Sequence, residues 1–450
     1  MKKRMMAIAL LMITTLGACS TEPGSTGNAP EENGRQVSEV REDLPVQMSG
    51  NATELTGEIQ TIKAPESEIS EEQISALSVA GTKLFAQTVV NEGEDKNILL
   101  SPVSVALAFG MAENGAGGNT LTQIENTING GTSIDEMNPL LSSLSQRMSS
   151  SRDAKWNVAN SIWFKEDGAW EILPDFASKA KSWYGADLWG APFDDSTVTD
   201  INNWVNKETK GMIPGILDQI PDDARMYLIN ALAFEAEWQN EYKETDILEE
   251  QDFNNADGSK TSVTMLFSNE GRYFTLNGGT GFIRDYKGGK YSFMGLLPEE
   301  GTDLDAYIAD LANSGADISA AIRNIQYDNV IVEIPEFTSD YDVEMSEILK
   351  NLGMTDAFDG NTADFYGMMK PLSDDEYAIW INRVLHKTHI EVDREGTRAA
   401  AVTAIEMECE TACETVIQEP IRVILDRPFI YGIIDNETGL PVFLGCVNQM

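Results

Sequence analysis

The positions at which this chain could do chemistry are two histidines, a few late cysteines and one buried-looking amide. His386 and His389 lie in the alternating run Val384 to Val392, where His386 shares a face with Val384, Thr388, Ile390 and Val392, and His389 lies with Lys387, Glu391 and Asp393. The odd spacing puts the two rings on opposite faces of a strand, which excludes a zinc site or a Ser-His-Asp relay using both. No G-x-S-x-G, P-loop or H-E-x-x-H occurs either. The sequence therefore offers no catalytic constellation of its own, and no metal or cofactor is expected. Only His386 should be buried. Asn230 shares a face with Met226, Leu228, Leu232 and Phe234, so it too should point into a core and need a partner.

The stretch around which the chain is organised runs from Arg394 to Glu410. Thr397, Ala399, Ala401, Thr403, Ile405, Met407 and Cys409 alternate there with Arg398, Ala400, Val402, Ala404, Glu406, Glu408 and Glu410. Every charge falls on one face, the pattern of a strand with one side buried. No hairpin turn is evident to fix it to a neighbour, and its first half consists of small residues that can slide between existing strands. Gly396 stands where the chain must bend to enter a sheet. The same Ala, Glu and Met content also suits a helix. In an extended strand Cys409 and Cys413 would lie roughly 13 Å apart, beyond the roughly 4.4–6.8 Å of a disulfide, so pairing would need a turn between them.

The 450 residues are 42% hydrophobic and carry a formal net charge of −41. Length alone predicts two domains. So acidic a surface repels phosphate backbones, which makes nucleic acid an unlikely partner class. Lys2-Lys3-Arg4 precede the apolar run Met5 to Leu16, an export signal too short to remain as a spanning helix. The ending Leu16-Gly17-Ala18-Cys19 resembles the bacterial lipobox, which implies cleavage before Cys19, diacylglycerol on its sulfur, and a membrane-anchored lipoprotein exposed outside the cytoplasm. With Cys19 used, Cys409, Cys413 and Cys446 are too few for a disulfide framework.

Residues 20–70 are rich in Ser, Thr, Gly, Pro, Asn and Glu without a sustained period, and read as a flexible acidic tether. From Glu71 a helical spacing begins, followed by a short strand, Asn97 to Leu100, and a helix opened by Ser101-Pro102. Further helices are expected around Met137 to Leu144 and Ile201 to Val205. Strands are expected over Trp156 to Phe164, Met226 to Trp238, Tyr273 to Phe282, Tyr291 to Leu297, Val330 to Phe337, Ile379 to Asp393, Ile421 to Leu425, Phe429 to Asp435 and Val442 to Val447. Helices early and strands late predict an α+β fold.

Several ordered segments together resemble the serpin family. They include Asn97-Ile98-Leu99-Leu100-Ser101-Pro102, Val158-Ala159-Asn160-Ser161, Ile201-Asn202-Asn203-Trp204, Leu228-Ile229-Asn230-Ala231, Glu333-Ile334-Pro335-Glu336-Phe337, Glu395 to Ala401, and Arg427-Pro428-Phe429. The resemblance covers residues 71–450 and implies one domain of three β-sheets and eight to nine helices with an exposed reactive-centre loop. It implies a hinge at Glu395, Gly396, Thr397, Ala399 and Ala401, a polar "shutter" of Ser101, Ser104, Asn230 and His386, and Trp238 in the "breach" where the loop enters. It also implies a monomeric inhibitor that a serine or cysteine protease attacks as a substrate, forming a covalent acyl complex. A non-inhibitory serpin acting as a binding or substrate protein is the alternative.

Some positions depart from the family pattern. Arg394 and Arg398 replace usual acids and should face solvent, and Met212 replaces a customary basic residue. The segment between Gly396 and Pro428 is several residues longer than usual. Counting from the hinge places the reactive bond at Glu410-Thr411; counting back from Pro428 gives Ile417-Gln418. Strand length favours the first.

Overall fold

The folded part of the chain opens at a two-residue strand, β1 (Thr53–Glu54), and then at a helix capped reciprocally, α1 (Glu71–Glu92). The Gln73 amide donates to Ser70 Oγ at 3.2 Å while the Ser70 amide donates to Gln73 Oε1 at 2.8 Å. After β2 (Ile98–Leu100), Ser101 caps α2 (Pro102–Glu113), with proline at the first helical position. Every residue of α2 is buried, as expected of a helix that is apolar on all sides. The computed structural model describes residues 48–56, 69–93, 95–372, 379–397 and 419–450, all within one contact unit, Asp43–Met450. That single unit replaces the two domains expected from length.

The elements continue with α3 (Gly118–Ile128), α4 (Ile134–Ser150), β3 (Ala154–Lys165), β4 (Trp170–Ile172), α5 (Pro174–Tyr184), β5 (Asp187–Ala191) and α6 (Asp195–Glu208). A strand-rich middle follows: β6 (Met226–Glu237), β7 (Ile247–Asn254), β8 (Lys260–Leu276), β9 (Gly279–Asp285) and β10 (Tyr291–Leu297). Next come α7 (Leu304–Ser314), α8 (Ile318–Arg323), β11 (Gln326–Pro335), β12 (Phe337–Glu344), α9 (Ser346–Asn351) and β13 (Met369–Pro371). The chain closes with β14 (Ile381–Val392), β15 (Gly396–Thr397), β16 (Ile421–Ile424), β17 (Phe429–Asp435) and β18 (Pro441–Val447). The expected α+β class holds, with three sheets and nine α-helices among the described residues.

The central sheet has seven strands in the order β1-β5-β3-β6-β15-β14-β12. A nine-stranded sheet follows the path β16-β11-β8-β9-β10-β17-β18-β2, with β7 paired to β8, and β13 pairs β4. The main core includes α2, the inner faces of both large sheets and the early helices, while α6 covers a second apolar cluster around Trp163, Trp204 and Tyr227 on the central sheet.

Three readings of the sequence need correction. The run Tyr273 to Phe282 is not one strand: it folds back at Asn277-Gly278, both at positive φ (43° and 86°), so that β8 and β9 form a hairpin. Part of the stretch read as tether is docked: Thr53 pairs Gly190 and Glu54 pairs Trp189, and the Leu55 amide reaches Leu188 O at 2.7 Å. Ser49 supplies both its amide and its hydroxyl to the carboxylate of Asp200, which is fully buried on α6. Serine, alanine and threonine carry too weak a periodicity to announce a two-residue edge strand. Finally, α7, α8 and α9 interrupt the strands of the second half.

Glu113, at the end of α2, is buried without a cation. Asn129 Nδ2 donates to its Oε2 at 2.7 Å, but Glu113 Oε1 and Asn129 Oδ1 are both closed to solvent and without a partner. Burial pushes the carboxyl well above its ordinary range, so that it stays protonated and can act as a donor. With its folded value raised, the folded state binds the extra proton, so this contribution to stability is complete below about pH 4.5 and is lost as pH rises through the folded value. Urea unfolding across the pH range should show this decline in the parent. In Glu113→Gln, which keeps the shape without the titration, that component should be absent.

Candidate functional site

Strands β6 and β14 run parallel and pair directly from Met226/Ile381 to Ala233/His389. Above that point they diverge, and β15 fills the space antiparallel to both: Thr397 faces Ala236 on one side and Val392 on the other, and Gly396 faces Glu237. The seam is thus a closed ladder below and a wedge above. The chain reaches the wedge through a tight turn, contrary to the expectation of no hairpin. Asp393 N–H donates to Gly396 O at 2.9 Å, and Asp393 Oδ1 accepts the Glu395 and Gly396 amides at 2.8 and 3.0 Å. Burial outweighs those two amides and raises the Asp393 carboxyl to about 6. Gly396 is required by close approach rather than by bending alone, because a Cβ there would lie 2.2 Å from Ala236 O.

Thr397 is fully buried, and its hydroxyl meets Tyr286 OH at 2.6 Å. Burial drives the Tyr286 phenol far above its usual range and keeps it neutral. Trp238 stacks on Tyr286 with ring centroids 4.7 Å apart, donates Nε1–H to Asp393 O at 2.9 Å, and bonds Glu395 O through its amide at 3.1 Å. Arg284 closes the floor, its guanidinium 4.1 Å from the Tyr242 ring and 5.1 Å from that of Trp238. Arg394 is not simply turned to solvent: it forms a two-point ion pair with Glu336, Nε to Oε1 at 3.0 Å and Nη2 to Oε2 at 3.3 Å. The unusual cation at the start of the hinge thus has an acid waiting for it on the β11–β12 connection.

Beneath the wedge the structure gathers Ser101, Ser104, Asn230 and His386 into one cluster. The Ser101 amide donates to His386 Nε2 at 3.0 Å, which fixes the ring's proton on Nδ1, where it is donated to Asn230 Oδ1. Asn230 Nδ2 donates to Ser104 O at 2.9 Å and to Asn160 Oδ1 at 2.5 Å, and Ser101 Oγ donates to Val442 O at 2.7 Å. Burial depresses the His386 imidazole to about 3, so it is neutral at physiological pH. His389, on the other face, sets Nδ1 2.5 Å from Asp340 Oδ1.

A family model described as Serpin (serine protease inhibitor) matches residues 75–450. The chain is a serpin. Iripin-8 of Ixodes ricinus is 29% identical over 410 residues, which is 87% of this chain and 97% of its own length. Plasminogen activator inhibitor 1 of Sus scrofa is 30% identical over 391 residues, 82% of this chain and 90% of its own. The crystal structure of the thermophilic serpin tengpin in the native state, 36% identical, covers 89% of this chain and 100% of its own with a TM-score of 0.80.

Of the residues singled out from sequence, the four of the buried polar cluster, Trp238, and the first hinge residues Glu395, Gly396 and Thr397 fall along this one seam. Ala399, Ala401, Glu410, Thr411 and Cys19 lie outside the described residues. Sequence reasoning missed Asn160, Tyr286, Asp393 and Glu336 as contributors, and placed Thr388 on the face of His386 without giving it a role. Asn160 faces Asn230 across β3–β6, and Thr388, two residues from His386 on the same face, donates to Leu99 O at 2.8 Å. Period two puts Thr388 on the face of His386; nothing local marks Tyr286, whose partner is 111 residues away.

His386→Ala should strand Asn230 Oδ1 and the Ser101 amide, at a cost of about 1–3 kcal/mol for each unsatisfied group, read from urea unfolding. Because the folded imidazole sits at about 3, its contribution in the parent is complete above about pH 6.5 and falls away as the pH drops toward 3. Asp393, shifted the other way, stabilises below about pH 3.8 and loses its contribution as pH rises through about 6. The alanine variant should therefore lose the His386 component of acid sensitivity while keeping the Asp393 component, which runs the other way, declining as pH rises through about 6.

Proposed function

We propose that this serpin is an exported, lipid-anchored inhibitor that traps serine endopeptidases, or cysteine endopeptidases, as acyl-enzymes. The observation that carries the reading is the wedge, in which β15 already lies antiparallel between two parallel strands that pair directly below it. In the reaction the target's catalytic oxygen or sulfur attacks the Glu410 carbonyl carbon. An ester or thioester forms, the bond to Thr411 breaks, and the leaving amine takes up a proton. The segment from Thr397 onward is then free to extend β15 down the seam, exchanging one β6–β14 ladder for two.

A strand of about 13 residues spans roughly 43 Å at 3.3 Å per residue, which carries the attached protease far from its docking point. Each added ladder bond is worth roughly 0.5–1.5 kcal/mol net, and burying Ile405 and Met407 adds about 1.5–3 kcal/mol each. The sum exceeds about 10 kcal/mol, enough to distort the acylated protease and halt hydrolysis. The uncleaved inhibitor is then a kinetically held state. The name of the 30% identical plasminogen activator inhibitor 1 supports the inhibitory reading.

Cys19 would carry the lipid. Among the described residues no helix is long and apolar enough to cross a membrane. Anchoring should be visible as partition of the parent, but not of Cys19→Ser, into detergent on phase separation.

Incubation with serine endopeptidases should give a complex that survives denaturing electrophoresis. Thr397 is already fully buried, so the test of insertion belongs one step further along the alternation: Ala399→Arg should leave folding intact and turn the inhibitor into a cleaved substrate. Cleavage of the parent without any stable complex across a panel of proteases would instead favour a non-inhibitory serpin. Mass spectrometry of the released C-terminal peptide should find Thr411 at its start; Gln418 there would move the reactive bond to Ile417.

A further inference from the structure

The two strands of the seam part without changing register. In the closed ladder Ala233 pairs His389, and in the wedge Thr397 faces Ala236 and Val392, the residues that a continued ladder would bring opposite each other. A strand prolonged from Thr397 between them therefore has its neighbours fixed. Residue 398 falls between Glu235 and Glu391, and residue 406 falls between Tyr227 and Arg383, themselves register partners in the closed ladder. Both positions lie on the outer face of the sheet, because Thr397 turns its side chain inward to Tyr286 and side chains alternate.

The charges on that face match the segment that follows Thr397. Glu235 and Glu391 would stand directly opposite each other if the ladder closed over the wedge, an unfavourable pair of like charges. On its far side Glu235 has its register partner Lys155, with Nζ at 3.4 Å, and Glu391 has the uncharged Thr338. The residue that falls between the two acids is Arg398. At the lower end Arg383 forms no ion pair among the described residues, and the residue that falls beside it is Glu406. Between these ends Val402 and Ala404 fall beside Ala231, Ile229 and Leu385 of the cluster under α6, apolar against apolar. We propose that Arg398 and Glu406, which themselves lie outside the described residues, are positioning residues that hold the inserting strand in this register. Arg398 completes a cross-strand row of alternating sign, Lys155, Glu235, Arg398, Glu391, and Glu406 pairs with Arg383. Parity alone does not select this register, because a slip of two residues keeps the same face inward. The charges do select it: a slip would leave Glu235 and Glu391 facing Gly396 or Ala400.

This inference rests on the trapping reading above, since it concerns the inserted strand. The test is a charge-swap series on the full chain with two readouts. One is the moles of inhibitor consumed per mole of protease trapped in a complex stable to denaturing electrophoresis; the other is the rise in melting temperature, in concentrated urea, that loop cleavage brings. Glu406→Arg and Arg383→Glu should each raise consumption at least about threefold and shrink the rise, and the two together should return both readings close to the parent. Arg398→Glu should act in the same direction while Arg398→Lys stays close to the parent, a comparison that keeps the test open should Arg383→Glu fail to fold. Parent-like readings in Glu406→Arg and Arg398→Glu, or a double variant no better than its singles, would overturn the pairing and leave the trapping reading in place. A parent that gains no stability on cleavage and traps no protease overturns both. A parent that gains stability without trapping overturns the inhibitory reading alone, and the charge swaps are then judged on the melting temperature.

Discussion

The structure depends on a ladder that is closed below and open above. Two parallel strands, β6 and β14, share hydrogen bonds over most of their length and then part, and the chain that follows β14 turns straight back into the opening. An antiparallel strand between two parallel ones satisfies both edges, so each further residue that enters gains pairing on two sides where the closed seam had one. The wedge stops at Thr397 among the described residues, and the contacts around it are stiff: a glycine pressed on the neighbouring backbone, a hydroxyl shared with a buried tyrosine, and an indole holding the turn.

The polar cluster below is the counterpart of that opening. His386 on β14 and Asn230 on β6 are register partners, so their bond spans the very seam that a longer inserted strand would split. Hydrophobic residues could fill the same space without any directional demand. A buried hydrogen-bonded network instead stabilises one arrangement of the two strands and penalises any partial separation, because each member left unpaired is costly in a low-dielectric interior.

Alternation in the sequence made the central strands legible: Asn230 and His386 were placed in the core by parity alone, and both lie there at 1% exposure. Of the alternation expected after Gly396, Thr397 lies on a buried face as read, and Ala399 onward lies outside the described residues. What parity could not supply was pairing between distant segments. The Asp393 turn was missed because it rests on a side chain accepting two amides rather than on an Asn-Gly signal, and the genuine Asn277-Gly278 turn was overlooked inside an apolar run. The docked residues 48–56 were hidden for another reason: Ser49, Thr53, Glu54 and Leu55 all meet partners more than 130 positions away.

The nine-stranded sheet carries a consequence for how such a chain comes to be folded. Its edge strand β2, residues 98–100, has β18, residues 441–447, as its neighbour, and the Ser101 hydroxyl at the head of α2 donates to the carbonyl of Val442. A fragment lacking the last ten residues lacks both the neighbour of that edge and the acceptor of that hydroxyl. Contacts of such sequence separation form late and slowly. A chain emerging in order from a ribosome therefore cannot complete this edge of the nine-stranded sheet until its C-terminus arrives.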